Sequence, residues 1–191
     1  MSAHDPTVLP ADLPVPVDDG AADHLTGLSL PPVPLPATDG TEVDLSALTG
    51  RTVVYAYPRT GEPGVDPLVA DWDAIPGARG CTPESCGFRD HHTELAAAGA
   101  AVLGLSTQDT GYQRAAVDRL RLPFALLSDA ELRLTTALRL PTFEAAGQTL
   151  LRRLTLLVDG GRISHVWYPV FPPDSHAAGV LDHLRGARSA H

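Results

Sequence analysis

The chain has 191 residues, 43% of them hydrophobic and 19% charged, with 14 basic against 23 acidic side chains and a formal net charge of −9. That balance describes an ordinary globule able to bury one core, and it argues against nucleic acid or an anionic membrane as partner. All 14 basic residues are arginine, which reads as the composition of a GC-rich bacterial genome rather than as function.

Residues 1–26 carry Pro10, Pro14, Pro16 and the run Asp18-Asp19-Gly20, and read as a proline-rich flexible tail or loosely docked arm. A single domain is expected over 27–187, with a short tail at 188–191. Met1 to Ala22 shows neither a basic start nor an apolar run, so no secretory signal is visible. Nothing approaches 18 consecutive apolar residues, so no membrane span is expected. Leu28 to Leu48 reads as an opening hairpin around Asp39-Gly40, and Thr52 to Tyr57 as a buried strand ended by Pro58.

The segment 59–79, with Pro63, Pro67, Pro76 and several glycines, is too long for an ordinary strand-to-helix connection. It reads as an inserted loop with Trp72 as its anchor. Thr82 suits the N-cap and Pro83 the first helical position, which predicts a helix to Ala98, stopped by Gly99, with Phe88, Leu95 and Ala96 inward. Next come a strand at Val102–Ser106, a helix capped by Asp109 with Tyr112, Ala116 and Leu120 inward, and a strand at Phe124–Leu127. A helix from Ser128-Asp129 ends before Pro141. Arg153–Val158 and Ile163–Tyr168 form a hairpin around Asp159-Gly160-Gly161, and Asp174 opens a closing helix with Val180, Leu181 and Leu184 on one face. Strands alternating with helices and closing on a hairpin predict an α/β three-layer sandwich with a central mixed sheet.

The predicted first helix begins at a strand carboxyl end, where sites in open α/β sheets lie. The chain's two cysteines, Cys81 and Cys86, stand there. A thiol at a helix start is biased toward thiolate, the oxidisable form, and a second thiol nearby traps the oxidised product. Five residues apart on an intact helix, their Cα atoms lie about 8–9 Å apart, beyond disulfide reach, so bonding requires the first turn to open. Cysteines without a visible secretion signal point to a reducing compartment, the cytoplasm, where such a bridge is temporary. A zinc site from Cys81, Cys86, His91 and His92 is disfavoured by its spacing, and neither metal nor cofactor is expected. The two histidines read as solvated helix-face residues.

The string GCTPESCGFRD (Gly80–Asp90) resembles the peroxidatic helix of the peroxiredoxins, of the Q or bacterioferritin-comigratory type. VLGLSTQ (Val102–Gln108), LPFALLSDAE (Leu122–Glu131) and RLTLLVDGGRI (Arg153–Ile163) are similar to the segments that follow it in that family, in the same order. The resemblance implies a thioredoxin fold and reduction of hydrogen peroxide or organic hydroperoxides. In that pattern Cys81 is peroxidatic, Cys86 is resolving and Arg153 is the active-site arginine, with Arg152 its replacement if the strand register differs by one. A thioredoxin-like or low-molecular-weight thiol serves as reductant, and the chain acts as monomer or homodimer. The pattern also has a proline, three residues, a threonine, two residues, then the cysteine. Here Pro58 lies 23 positions before Cys81, and Ala78 occupies the threonine's place. Thr60 and Arg79 are the candidates to replace that threonine. Two other readings of the same fold stay open: a thiol–disulfide oxidoreductase, against which stands the lack of a C-x-x-C, and a weakly active redox sensor.

Overall fold

The structure, a computed structural model, describes residues 5–188. β1 (Pro34–Pro36) and β2 (Glu42–Asp44) pair antiparallel across the Asp39-Gly40 turn, where Gly40 adopts φ +88°. β3 (Arg51–Ala56) follows, buried from Thr52 onward. Past the 59–79 segment come α1 (Cys81–Asp90), α2 (His92–Ala97), β4 (Ala100–Ser106), α3 (Thr110–Leu120), β5 (Leu126–Ser128) and α4 (Arg133–Leu138). β6 (Thr142–Ala145), β7 (Gln148–Leu151), β8 (Leu154–Asp159), β9 (Arg162–Trp167) and α5 (His176–Arg188) complete the chain.

Five strands form the central sheet in the order β5-β4-β3-β8-β9, with β3, β4 and β5 parallel and β8 and β9 antiparallel to their neighbours. Side chains alternate across β3, as strand geometry requires. Val53, Tyr55 and Tyr57 face Phe88, Leu95, Val180, Leu181 and Leu184, under α1, α2 and α5. Val54 and Ala56 face the opposite cluster, filled by Leu25, Leu35, Leu45, Leu134 and Leu138. This is the three-layer arrangement around a mixed sheet that the periodicity predicts.

Several expectations change in detail. The first helix starts at Cys81, two residues early, because Gly80 takes the N-cap at φ +110° with its carbonyl accepting from Glu84 N–H at 3.0 Å. Thr82 is helical and buried, and Pro83 sits third, where its missing N–H has no intrahelical partner to lose. His91, at φ −97° and ψ 6°, divides the expected single helix in two. Ala96 is exposed and Ala98 buried, because that division rotates the inward face. In α3 Ala116 and Leu120 are buried as expected, but Gln113, whose amide donates to Leu127 O at 2.7 Å, is buried beside them, while Tyr112 is only half-buried.

Phe124 packs in the core before β5 begins, and α4 starts only at Arg133, its first amides capped by Asp129 through Leu134 and Thr135. The β6–β7 hairpin was not expected from sequence; its turn is Ala146-Gly147, both at positive φ. The described part of the 1–26 segment is a docked arm rather than a flexible tail. Leu25 is fully buried, and Tyr168 donates to Asp19 at 2.9 Å. Arg188 closes α5, and the rest of the expected 188–191 tail lies outside the described residues.

Candidate active site

The β3–β8 register sets Leu154 opposite Ala56. Arg153, one residue earlier in β8's direction, therefore arrives at the carboxyl end of β3, beside the start of α1. Its Nη2 donates to Cys81 Sγ at 3.1 Å and to the carbonyls of Gly77, Ala78 and Arg79 at 3.2–3.4 Å. Its Nη1 pairs with Glu84 Oε2, one turn into α1. Arg152 turns the other way, its Nε on Thr142 O at 3.1 Å and its guanidinium over the Phe143 ring.

Cys81 is 2% exposed yet lines a cavity of about 220 Å³. The 59–79 segment supplies most of the wall, including Thr60, Val65, Leu68 and Trp72, with Pro6 of the arm and Tyr112 of α3 closing the sides. Trp72 is buried against Ala78, Ala145 and Leu150, so it anchors the segment onto the β6–β7 hairpin. Thr60 is fully buried; its N–H donates to Gln108 Oε1 at 3.2 Å and its carbonyl accepts from Tyr112 at 2.9 Å. Pro58 is buried just after β3, and the backbone N–H of its neighbour Arg59 faces the Cys81 sulfur. Thr82 Oγ1 is buried without a hydrogen-bond partner among the described residues, on the cavity wall.

Electrostatics here differ from the expectation of a helix-start thiolate. Burial pushes the Cys81 thiol up, and the Arg153 guanidinium and Arg59 N–H lower it without overcoming that loss of hydration. Glu84 is likewise raised by burial, to about 7, with Arg153 opposing. Burial works against the charge on Arg153 itself, but Cys81 and Glu84 beside it hold it firmly protonated. Cys86 is half-buried on the same helix, raised by burial and lowered by Arg89. Both thiols are free, as two positions on one regular helix must be.

The redoxin family profile matches residues 25–181. The chain belongs to the redoxin family. Within it, the relatives are peroxiredoxins of the Q and bcp kind. Peroxiredoxin bcp1 of Schizosaccharomyces pombe is 33% identical over 131 residues, covering 64% of this chain and 59% of that protein. Chloroplastic peroxiredoxin Q of Sedum lineare is 30% identical over 164 residues, covering 85% of this chain and 78% of that protein. The crystal structure of peroxidoxin BcpB from Mycobacterium tuberculosis superposes with a TM-score of 0.67 at 27% identity, covering 85% of this chain and 98% of that one. The chain spans less than two thirds of the first curated relatives it matches. The fold is that of thioredoxin-like peroxiredoxins.

Within this redoxin frame, the structure sets Cys81 and Thr60 on one cavity, brings the Arg153 guanidinium to the Cys81 sulfur from outside that lining, leaves Pro58 buried after β3 and off the lining, and puts Cys86 on the same helix, five residues from Cys81. Arg79 is held by Asp73 at 3.1 Å and by the carbonyls of Asp5 and Val8. Sequence reasoning missed the pairing of Glu84 with Arg153, a partner 69 positions away that no local pattern shows. It also missed Gln108 and Tyr112, which hold Thr60. Their one signal was position, since Gln108 follows β4 and Tyr112 opens α3 at the sheet's carboxyl edge.

Proposed function

We propose that this redoxin is a thiol peroxidase. The observation that carries the reading is the Arg153 guanidinium, 3.1 Å from the Cys81 sulfur at the edge of a small cavity. The Cys81 thiolate attacks one peroxide oxygen: an S–O bond forms, the O–O bond breaks, and the leaving oxygen takes a proton to depart as water or alcohol. Arg153 holds the thiolate once formed and stabilises charge growing on the oxygens. The Thr82 hydroxyl and Thr60 are the candidates to orient the peroxide in place of the family threonine, since Ala78 has no hydroxyl.

Cys86 then attacks the Cys81 sulfenic acid, forming the S–S bond and releasing water, after the first turn of α1 opens. An external dithiol or low-molecular-weight thiol supplies two electrons to restore both thiols. A cavity of about 220 Å³ admits organic hydroperoxides as well as hydrogen peroxide. This cycle suits a reducing compartment, the bacterial cytoplasm. A second reading, a slow redox sensor on the same fold, is favoured by one observation, the raised Cys81 thiol.

Stopped-flow oxidation of the reduced protein by hydrogen peroxide and by cumene hydroperoxide separates the two. The peroxidase reading expects a peroxide-dependent phase far faster than that of a free thiol, abolished in Cys81→Ser. Turnover retained in that variant overturns the assignment. Reaction no faster than a free thiol's favours the sensor.

A further inference from the structure

The second step of the proposed cycle needs the backbone around Gly80–Thr82 to leave its helical path, so whatever grips that backbone governs the step. Two grips are visible. From the sheet side, Arg153 Nη2 holds the carbonyls of Gly77, Ala78 and Arg79. From the outer side, the N-terminal arm does so. Arg79, immediately before Gly80 and 8% exposed, donates through Nη2 to Asp5 O at 2.5 Å and Val8 O at 2.9 Å.

The arm presents those two carbonyls because it is folded into a tight turn there. Asp5 Oδ1 accepts from Thr7 N at 2.9 Å and Thr7 Oγ1 at 2.6 Å, and Val8 N–H donates to Asp5 O at 3.3 Å. Such side-chain-to-backbone bonds fix a turn without regular structure around it. Leu9 then packs on the helix start itself. A Cβ built on Gly80 would stand 3.1 Å from Leu9 Cδ2 and 2.3 Å from Pro173 Cγ, so the N-cap is wedged between the arm and the segment before α5. Pro6 is buried and lines the cavity. Pro16 lies beside Gly77, with its ring 3.8 Å from where a Cβ there would sit.

We infer that residues 5–9, fastened by Arg79, are a strap that keeps the first turn of α1 closed and so sets the rate at which Cys86 reaches Cys81. The inference rests on the peroxidase reading. Its consequence is a division of labour: the strap slows disulfide formation, while Leu9, which packs on Gly80 and does not line the cavity, leaves attack on the peroxide alone. A slower second step leaves the Cys81 sulfenate longer before a second peroxide, which oxidises it further to sulfinic acid with loss of another water or alcohol. Strap strength therefore tunes how much peroxide the protein tolerates before inactivation.

The test follows both phases in the full chain by stopped-flow fluorescence, for the wild type, Leu9→Ala and Arg79→Met. Each variant removes part of one grip, and their effects differ in kind, one apolar and one a charge-assisted hydrogen bond. The expected result is a peroxide-independent second phase roughly tenfold faster in both variants. In Leu9→Ala the second-order constant of the first phase stays within about twofold of wild type. Sulfinic acid at a fixed peroxide excess, read by mass spectrometry, should fall in proportion. An unchanged second phase in both variants overturns the strap and leaves the peroxidase reading standing. Absence of any peroxide-dependent first phase in the wild type overturns the peroxidase reading, and the strap with it.

Discussion

At the scale of single residues the site is a contest between burial and one guanidinium. Cys81 is close to fully buried, and lost hydration raises its thiol even with Arg153 at 3.1 Å. The reactive thiolate fraction therefore keeps growing with pH through and beyond the ordinary thiol range. Peroxide consumption, measured from pH 6 to 9, should rise without a plateau at neutral pH. Arg153→Met removes the lowering influence and a charge-assisted donor to the oxygens. We expect its oxidation rate to fall by about 10²–10³-fold, with iodoacetamide alkylation of Cys81 shifted to higher pH. A rate within threefold of wild type would show that Arg153 is only packing. His91 and His92 lie at the helix surface: His91 pairs with Glu94 at 3.2 Å and both are partly exposed.

Elements decide how the site is roofed. The 59–79 segment contains only one short 3-10 turn, at Trp72–Ala74, so backbone pairing contributes little to its order. Its order comes instead from Trp72 in a small satellite cluster with Ala78, Ala145 and Leu150, separate from the two main cores. Trp72→Ala should cost about 3 kcal/mol locally by cavity formation while the central sheet persists. Limited proteolysis is expected to cut between residues 61 and 71 in the variant only, with far-ultraviolet circular dichroism unchanged. Resistance equal to wild type would assign the anchoring elsewhere. No helix among the described residues is long and apolar enough to cross a membrane.

At the scale of the whole molecule, one buried group and one half-buried group couple the site to stability in opposite senses. Glu84 titrates at about 7 in the fold against 4.5 when exposed. The native state holds a proton that the unfolded state has lost, so this group's contribution fades as pH rises from 4.5 through 7. His176, on α5 and bonded to Thr155 Oγ1 at 2.8 Å, is lowered by burial, then by Arg153, to about 4 against 6.5. The unfolded state binds its proton first, so this contribution is lost as pH falls from 6.5 through 4. Each is worth roughly 3 kcal/mol, and across pH 4.5–6.5 they oppose. Urea midpoints between pH 4.5 and 7.5 should be nearly flat for wild type, rise with pH in Glu84→Gln and fall with pH in His176→Asn. Parallel profiles in all three proteins would remove both groups from the linkage.

Sequence alone carried what depends on local pattern. Strand and helix order, the Asp109 cap, the Gly99 stop and the inward Phe88, Leu95, Val180, Leu181 and Leu184 follow from periodicity and turn chemistry, which act over a few residues. The string around Cys81 and the motifs after it identified the family. Tertiary structure decided whatever depends on residues far apart in the chain. Arg153 meets Cys81 across 72 positions only because β8 pairs with β3 in one register. Glu84 found a guanidinium rather than solvent, and burial rather than the helix end set the thiol's protonation. The arm became part of the site because Arg79, a residue with no local reason to be buried, needed carbonyl partners that only the folded N-terminus supplies.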